Sequence, residues 1–329
     1  MFLSKRPYGC LLFVLLSLVA SSGLKAQKNV PAFQASPYTW LAKKFLDSLT
    51  AEQKLIAQVK FEDTIRRRWQ REPGQRQGLK MDSLNEGQKI AFHELMRGCL
   101  SSQGYLKVTA EMFNEDIQKK FEPNLGRGEF WLEVFGNPAA GNLWGWKLEG
   151  HHLTVNFTFN GNKMISHTPF LIGSNPANSK TDSVRAGLLI LHNEDELARR
   201  LVNSFNEAQL KEGYTTEKRP EIVFGEQHKQ QIIVPSQGIN FTKLNKDQQA
   251  IVRTLAKEYI DNFHSAEVPS IDKIINATTK FFYMDRKNAG EAYYYRIING
   301  NILIECENYG NHIHCFWRSD NDFGKAFIK

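Results

Sequence analysis

The sequence lacks the short motifs by which common enzyme classes are recognised. It contains no GxSxG, HExxH, GxGxxG or phosphate-binding GxxxxGK[ST] pattern. It has only four cysteines in 329 residues, and none of them has CxxC spacing, which argues against a cysteine metal site. No low-complexity segment and no long Pro-rich linker divides the chain. A chain of this length can bury a sizeable core without disulfide bonds.

The sequence also lacks a strong charge of either sign. Lys and Arg number 42 against 35 Asp and Glu, and three of these cations (Lys5, Arg6, Lys25) lie among the first 26 residues. Removing those three leaves 39 against 35, an excess of four. A nucleic-acid binder would carry a pronounced basic stripe, so we expect no nucleic-acid partner.

One apolar run near the N-terminus indicates export. Leu11–Ala20 follows two basic residues and precedes a stretch of small residues, which is the order of a secretory signal. Ten apolar residues are too few for a membrane-spanning helix, which needs ~20, although an N-terminal anchor is the alternative. We predict a signal peptide at 1–26, a single domain at 27–329, a secreted or periplasmic location, and no stable membrane span after removal of the leader.

Three segments carry the same helix-start pattern, in which a capping residue precedes Gln by three positions. They are Thr50–Gln53, Asn85–Gln88 and Asn245–Gln248. We interpret the recurrence as a capping box used three times and not as a structural repeat. Helices are predicted over 37–48, 51–63, 85–101, 107–121, 193–211, 246–263 and 270–279.

Strand-like runs follow the helices in two clusters. The first is predicted over 130–135, 144–149, 152–159 and 163–167, and the second over 281–284, 292–298, 301–305 and 312–317. Asn299–Asn301 and Tyr309–Asn311 are predicted hairpin turns. This order indicates an α+β fold in which a helical N-terminal part packs on a largely antiparallel sheet in a single compact domain.

A histidine pair interrupts the strand pattern of Trp144–Phe159. Apolar residues occupy even positions before Gly150 and odd positions after it. A strand reverses its faces only if a residue is inserted, so we predict a bulge at Gly150-His151. The bulge would place Glu149, His152 and Asn156 on one polar face, while His151 would join the apolar face as a buried group or as a group that supports a ligand.

A second histidine pair lies near the C-terminus. Strand alternation places His312, His314 and Arg318 on one face. Two imidazoles at this spacing can bind one metal ion, and His152 would complete the three-ligand set of an open catalytic site. The alternative is a hydrogen-bonded polar sheet face. His151 is retained as a further metal-ligating candidate.

An Arg-rich segment, Arg66–Leu79, contains five arginines around a Trp and a Pro-Gly turn. Guanidinium groups bind carboxylates and phosphates bidentately, so Arg68 and Arg76 are candidate anion-binding residues. The alternative is that these arginines hold the carbonyls of their own loop. Trp146 and Asn156 are further candidate substrate contacts.

The three cysteines that follow the leader leave two interpretations open. Cys306 and Cys315 flank a predicted hairpin and could pair across it. Alternatively, these two and Cys99 are buried free thiols.

A fourth stretch, His167–Ala177, is predicted to be a rigid turn because of its Pro and Gly residues. This stretch and the three described above resemble the family known as domain-of-unknown-function family 3500. The matching motifs are the Pro-Gly-x-Arg-x-Gly-Leu loop, the Trp-Gly-Trp-x-x-Glu-Gly-His-His-Leu block, the Thr-Pro…Asn-Pro-Ala turn and the terminal His-x-His…Asp-Phe-Gly segment, found at Pro73–Leu79, Trp144–Leu153, Thr168–Ala177 and His312–Gly324. The resemblance covers roughly residues 40–325. It implies one family-wide domain and no particular reaction.

The site residues favour a metal-dependent enzyme that acts on a small anionic substrate. His152, His312 and His314 would bind Zn, Cu or Fe, with Glu149 as general base or orienting group and Arg318 as a second anion contact. Metal-assisted hydrolysis is the default reaction, followed by copper or iron oxidation. The alternative is a non-catalytic extracytoplasmic protein that binds an anionic ligand through the Arg-rich loop.

Overall fold

The computed structural model describes residues 37–179, 186–219, 237–264 and 268–327. The predicted signal peptide, residues 1–26, lies outside these ranges, so export stays a prediction. None of the helices in the described ranges combines the length and the apolar character that crossing a bilayer requires.

Each predicted helix is present, but three boundaries differ from the prediction by five or six residues: the ends predicted at 63 and 279 and the start predicted at 107. They are α1 (Tyr38–Ser48), α2 (Ala51–Ala57), α3 (Glu86–Cys99), α4 (Ser102–Gln118), α5 (His192–Asn203), α6 (Glu207–Gly213), α7 (Lys246–Ile260) and α8 (Ile271–Ile274). The single helix predicted over 193–211 is two helices. The first ends at Asn203, and Asn206 caps the second, because its side chain accepts a hydrogen bond from the backbone N–H of Gln209.

The strands join one sheet, which is antiparallel apart from two short edge pairings. They are β1 (Gln58–Val59), β2 (Leu79–Lys80), β3 (Phe130–Gly136), β4 (Leu143–Gly150), β5 (Leu153–Asn160), β6 (Lys163–Ser166), β7 (Phe170–Ser174), β8 (Tyr214–Thr215), β9 (Ile239–Asn240), β10 (Lys280–Asp285), β11 (Ala292–Ile298), β12 (Ile302–Tyr309) and β13 (Ile313–Ser319). Among the described strands, only β1 with β3 and β8 with β10 pair in parallel. The predicted α+β class is therefore confirmed.

Two local predictions were wrong. The reversal of the apolar alternation at Gly150 is not a bulge, because Gly150 pairs with Leu153 and the chain turns back between β4 and β5. His151 and His152 form that two-residue turn. The Thr-Pro…Asn-Pro-Ala stretch, read as a rigid turn, contains the strand β7, which pairs with both β5 and β13.

The strands are arranged in the same way on the two sides of the centre of the sheet, except for β6. The order is β1-β3-β4-β5-β7-β13-β12-β11-β10-β8, with β2 added beside β3 and β9 beside β10, whereas β6 pairs with β5 and has no counterpart among the described residues of the other side. The helices repeat in the same way, since α1, α2 and α3 are matched in order by α5, α6 and α7. The two halves meet at the β7–β13 pairing.

A buried hydrogen-bond network also recurs in both halves. Gln88 donates to the backbone carbonyl of Ser48, and its side-chain amide pairs with that of Gln53. The same bonds recur in the second half among Gln248, Ser204 and Gln209. The shared helix-start pattern is therefore part of a structural repeat, which corrects its interpretation as capping chemistry alone.

The sheet is covered on both faces. Its helix-side face contributes Trp144, Trp146 and Leu148 to the main hydrophobic core. The opposite face is covered by the Arg-rich loop and by the C-terminal segment, which close a smaller cluster of Trp69, Leu171, Tyr294, Phe316 and Phe323. Polar side chains on this second face are therefore buried and must find partners.

Two cysteines face each other across β12 and β13. Cys306 pairs directly with Cys315 in the register, and their sulfur atoms lie 3.3 Å apart. Both are buried free thiols, as is Cys99.

The recurring network predicts matched destabilisation in the two halves. Replacing Gln88 or Gln248 with Ala should lower the free energy of unfolding by about 1–3 kcal/mol each, because each change removes several hydrogen bonds of a buried side chain. Exposed Gln77→Ala is the matched control and should change it by less than about 0.5 kcal/mol. Urea denaturation of the three variants measures these values. A large loss of stability in one of the two variants, with none in the other, would contradict the equivalence of the two networks.

Candidate metal centre

Three imidazoles meet where the two halves of the sheet join. His152 lies in the β4–β5 turn of the first half, whereas in the second half His312 immediately precedes β13 and His314 lies within it. The Nε2 atom of His312 is 2.8 Å from that of His152 and 3.0 Å from that of His314. These three residues can each offer one ligand atom to a metal ion. The expected convergence of the three side chains is present.

Gly173 in β7 allows this approach. It pairs with His314 in the sheet, and its backbone N–H donates to the carbonyl of His152 at 2.6 Å. A Cβ atom at this position would lie 2.7 Å from the ring of His314 and 3.0 Å from that of His152. Glycine is therefore required here by close packing, a common reason for glycine within a strand.

Helix α4 orients His152 through a carboxylate. Glu115 accepts a hydrogen bond from Nδ1 of His152 at 2.7 Å and contacts Nδ1 of His151 at 3.0 Å. His152 has φ +58°, in the left-handed region that favours glycine, so tertiary contacts must hold it there. A carboxylate on Nδ1 leaves the Nε2 lone pair directed at the other two imidazoles.

A second carboxylate orients His314. Glu307 in β12 lies opposite His314 and is 2.9 Å from its Nδ1. Arg71 of the Arg-rich loop pairs with the same carboxylate and lies 3.1 Å from the same ring nitrogen. The loop is thus tied to the histidine cluster through Arg71.

Burial keeps the three imidazoles neutral. It lowers the pKa of His152 and that of His312 to about 3, and it lowers the pKa of His314 well below its usual value. Burial alone would raise the pKa of Glu115, but hydrogen bonds from His151 and His152 more than offset this and lower it to about 2. Neutral imidazole is the form that binds metals.

The cluster has a partly exposed side. His312 is half-buried and Tyr309 is 37% exposed, whereas His152 and His314 are buried. The guanidinium of Arg219 lies 3.4 Å above the ring of Tyr309 and 3.6 Å from the carboxylate of Glu307. Two cationic side chains, Arg71 and Arg219, therefore lie beside the cluster.

Glu149 and Arg76 are not available to react at the three histidines, because both side chains are held in other buried interactions. Glu149 is buried in ion pairs with Lys147 at 2.8 Å and Arg76 at 3.2 Å, and it accepts from the backbone N–H of Gln70. Arg76 is itself buried and donates to the carbonyls of its own loop and of Gly150. This arrangement matches the alternative in which arginines hold the loop.

The other candidate contacts also lie away from the cluster. Trp146 packs in the main core against Phe157, on the face opposite the loop. Asn156 is buried and donates to the carbonyl of Pro169. Arg318 is buried in an ion pair with Asp322 at 2.7 Å.

Arg68 and His151 take different positions from those expected. Arg68 is exposed, and its backbone carbonyl accepts from Lys147 at 3.0 Å. His151 lies in the turn, with its side chain 11% exposed and its Nδ1 3.0 Å from Glu115, the carboxylate that orients His152. It is thus a mostly buried neighbour of a candidate ligand, but its predicted place on the apolar face of a bulged strand is wrong, because a turn leaves both histidines at the end of the sheet.

Sequence reasoning missed the partners of the histidines. Glu111 and Glu115 are four residues apart on α4, so they share its buried face, a signal that the sequence did contain. Burial, followed by the charge of Glu115, raises the pKa of Glu111 well above its usual value. The sequence contained no comparable indication for Glu307 and Arg71. Glu307 reaches His314 only through the register of β12 with β13, and Arg71 only through the conformation of the Arg-rich loop.

The comparisons agree with the family resemblance. The profile described as "Protein of unknown function (DUF3500)" matches residues 33–325, nearly the whole chain. The chain belongs to this family. No curated protein and no solved structure matches the chain. Membership of DUF3500 therefore assigns no reaction to the chain, and its chemistry follows only from its own side chains.

The loop contacts predict different roles for two arginines of the DUF3500 chain. Replacing Arg76 with Ala should lower the free energy of unfolding by about 3 kcal/mol, because it breaks a buried ion pair and several bonds to carbonyls. Replacing exposed Arg68 with Ala should change it by less than about 0.5 kcal/mol. Chemical denaturation measures both values. Equal stability of the two variants would show that Arg76 does not hold the loop.

Proposed function

We propose that this protein is a metal-dependent enzyme in which His152, His312 and His314 bind one divalent transition metal, and that its substrate is a small anionic molecule. The proposal depends on one observation, the convergence of three Nε2 atoms with adjacent spacings of 2.8 and 3.0 Å. It is an exported enzyme if the leader is cleaved as predicted.

The chemistry of the three imidazoles favours a cation between them. Carboxylates accept hydrogen bonds only, so Glu115 favours a proton on Nδ1 of His152. Glu307 favours one on Nδ1 of His314, since it lies nearer to that nitrogen than Arg71 does, and Arg71 is itself paired with Glu307. Both Nε2 lone pairs then face Nε2 of His312, which can donate one proton to one of them. A metal ion accepts electron density from all three nitrogens, so it satisfies groups that hydrogen bonding alone leaves unmatched.

The ligand set fits a catalytic rather than a structural ion. Three protein ligands leave a position for water or substrate, whereas structural zinc sites use four. Imidazole suits Zn, Cu and Fe, so the ligands do not select one metal. A bound ion of this kind supplies Lewis acidity and lowers the pKa of water, which suits hydrolysis at neutral pH.

Charge balance around the site supports an anionic substrate. The ligand imidazoles are neutral, and the carboxylates of Glu115 and Glu307 are matched in number by the guanidinium groups of Arg71 and Arg219. Burial raises the pKa of Glu111, also near His152, which favours its neutral form, and Glu72, which pairs with Arg71, is exposed to solvent. The charge of the metal would therefore not be neutralised by the protein. A carboxylate or phosphate group on the substrate would supply that charge and could contact the arginines.

Metal content tests the proposal. The full chain is purified without chelators, loaded separately with Zn, Cu and Fe, desalted and measured by elemental analysis. We expect about one ion per chain for one of these metals, and loss of most of it in the His312→Ala/His314→Ala double variant. The exposed His192→Ala variant is the matched control and should retain the metal. Circular dichroism checks that each variant is folded.

Activity separates an enzyme from a binding protein. Hydrolysis of 4-nitrophenyl acetate and 4-nitrophenyl phosphate is measured for the loaded protein and for the same variants. Metal-dependent turnover that disappears with the double variant supports hydrolysis. Failure to retain any of the three metals would overturn the site. Stoichiometric metal without turnover of either ester would overturn hydrolysis and would support a binding role or redox chemistry.

A further inference from the structure

A second polar pocket lies beneath the Arg-rich loop and outside the histidine cluster. Its volume is 620 Å³, within the range of small-molecule sites. Its lining includes Arg76, Lys147 and Glu149 on the sheet side and Arg67, Arg68 and three glutamines on the loop. Several of these side chains are almost fully buried, so the pocket reaches down to the sheet.

The floor of this pocket is electrically neutral. Lys147 pairs with Glu133 at 3.2 Å and with Glu149 at 2.8 Å, and Arg76 pairs with Glu149 at 3.2 Å. Two cations are thus matched by two carboxylates. Any net charge of the pocket must come from its rim.

The rim carries two positive charges. Arg67 and Arg68 are exposed, and their guanidinium groups have no hydrogen bond or ion pair with any of the described residues. The side-chain amides of Gln70, Gln75 and Gln77 likewise have no hydrogen-bond partner there. Guanidinium groups bind carboxylate and phosphate, and amides both donate and accept hydrogen bonds with hydroxyl groups.

We infer that this pocket binds a small ligand that carries a carboxylate or a phosphate beside several hydroxyl groups, such as a sugar acid or a sugar phosphate. The anionic group contacts Arg67 and Arg68, and the hydroxyl groups contact the three glutamine amides. None of the three histidines lines the pocket, so this binding does not depend on the proposed metal.

Isothermal titration calorimetry of the full chain with defined probes tests the inference. The probes are glucuronate, glucose 6-phosphate, neutral glucose, and acetate as an anion without hydroxyl groups. We expect at least one of the two sugar anions to bind at least tenfold more tightly than glucose or acetate. Binding should weaken between 0.05 and 0.5 M NaCl because part of the attraction is between charges at a solvent-exposed rim.

Two double variants isolate the rim charges. Arg67→Gln/Arg68→Gln should lower the affinity for the sugar anion by about tenfold or more, because charged hydrogen bonds are lost. Arg200→Gln/Lys211→Gln removes two exposed charges elsewhere and should leave the affinity unchanged. Equal affinities of the two double variants would overturn the inference, as would tighter binding of acetate than of both sugar anions, or no binding of either sugar anion.

A third variant separates this pocket from the proposed metal centre. His312→Ala/His314→Ala should bind the sugar anion as the wild type does. A failure of the metal proposal would then leave this result intact, whereas loss of binding in this variant, if it remains folded by circular dichroism, would show that the ligand occupies the histidine cluster instead.

Discussion

The pairing of β7 with β13 is the contact on which the rest of this structure depends. It joins two halves that repeat the same order of helices and strands, and it merges their strands into a single sheet. It also brings the β4–β5 turn of one half beside the start of β13 in the other. The histidine cluster exists only because of this junction, since one ligand candidate comes from the first half and two from the second. Gly173, at the junction, provides the space in which the rings meet.

Covering both faces of the sheet has a second consequence. Strands buried on both sides cannot leave polar side chains in water, so charged residues on the loop-covered face occur in pairs or networks. Glu149, Lys147 and Arg76 are part of one such network and thereby hold the loop against the sheet. Glu307 and Arg71 form another, which orients His314. The same requirement for partners therefore stabilises the fold and positions the imidazoles.

Local patterns in the sequence predicted most of the elements and failed at defined points. Capping boxes and strand alternation located the helices and both strand clusters. The turn at His151-His152 was missed because a parity reversal fits a bulge as well as a tight turn, and β7 was missed because its flanking Pro and Gly residues favour turns. The three histidines could be selected from the sequence because histidines occur close together in two stretches with strand-like alternation. Their carboxylate partners could not all be selected, since Glu307 reaches His314 only through the register of two strands.

The central claim is that three imidazoles bind one metal ion through Nε2, and diffraction at the absorption edge of the bound metal tests it most directly. Crystals of the metal-loaded chain should give one strong anomalous peak about 2.0–2.1 Å from Nε2 of His152, His312 and His314, with Glu115 and Glu307 still on the opposite ring nitrogens. A peak bound by Glu115 and His151 instead, or no peak within bonding distance of these three nitrogens, would contradict the account.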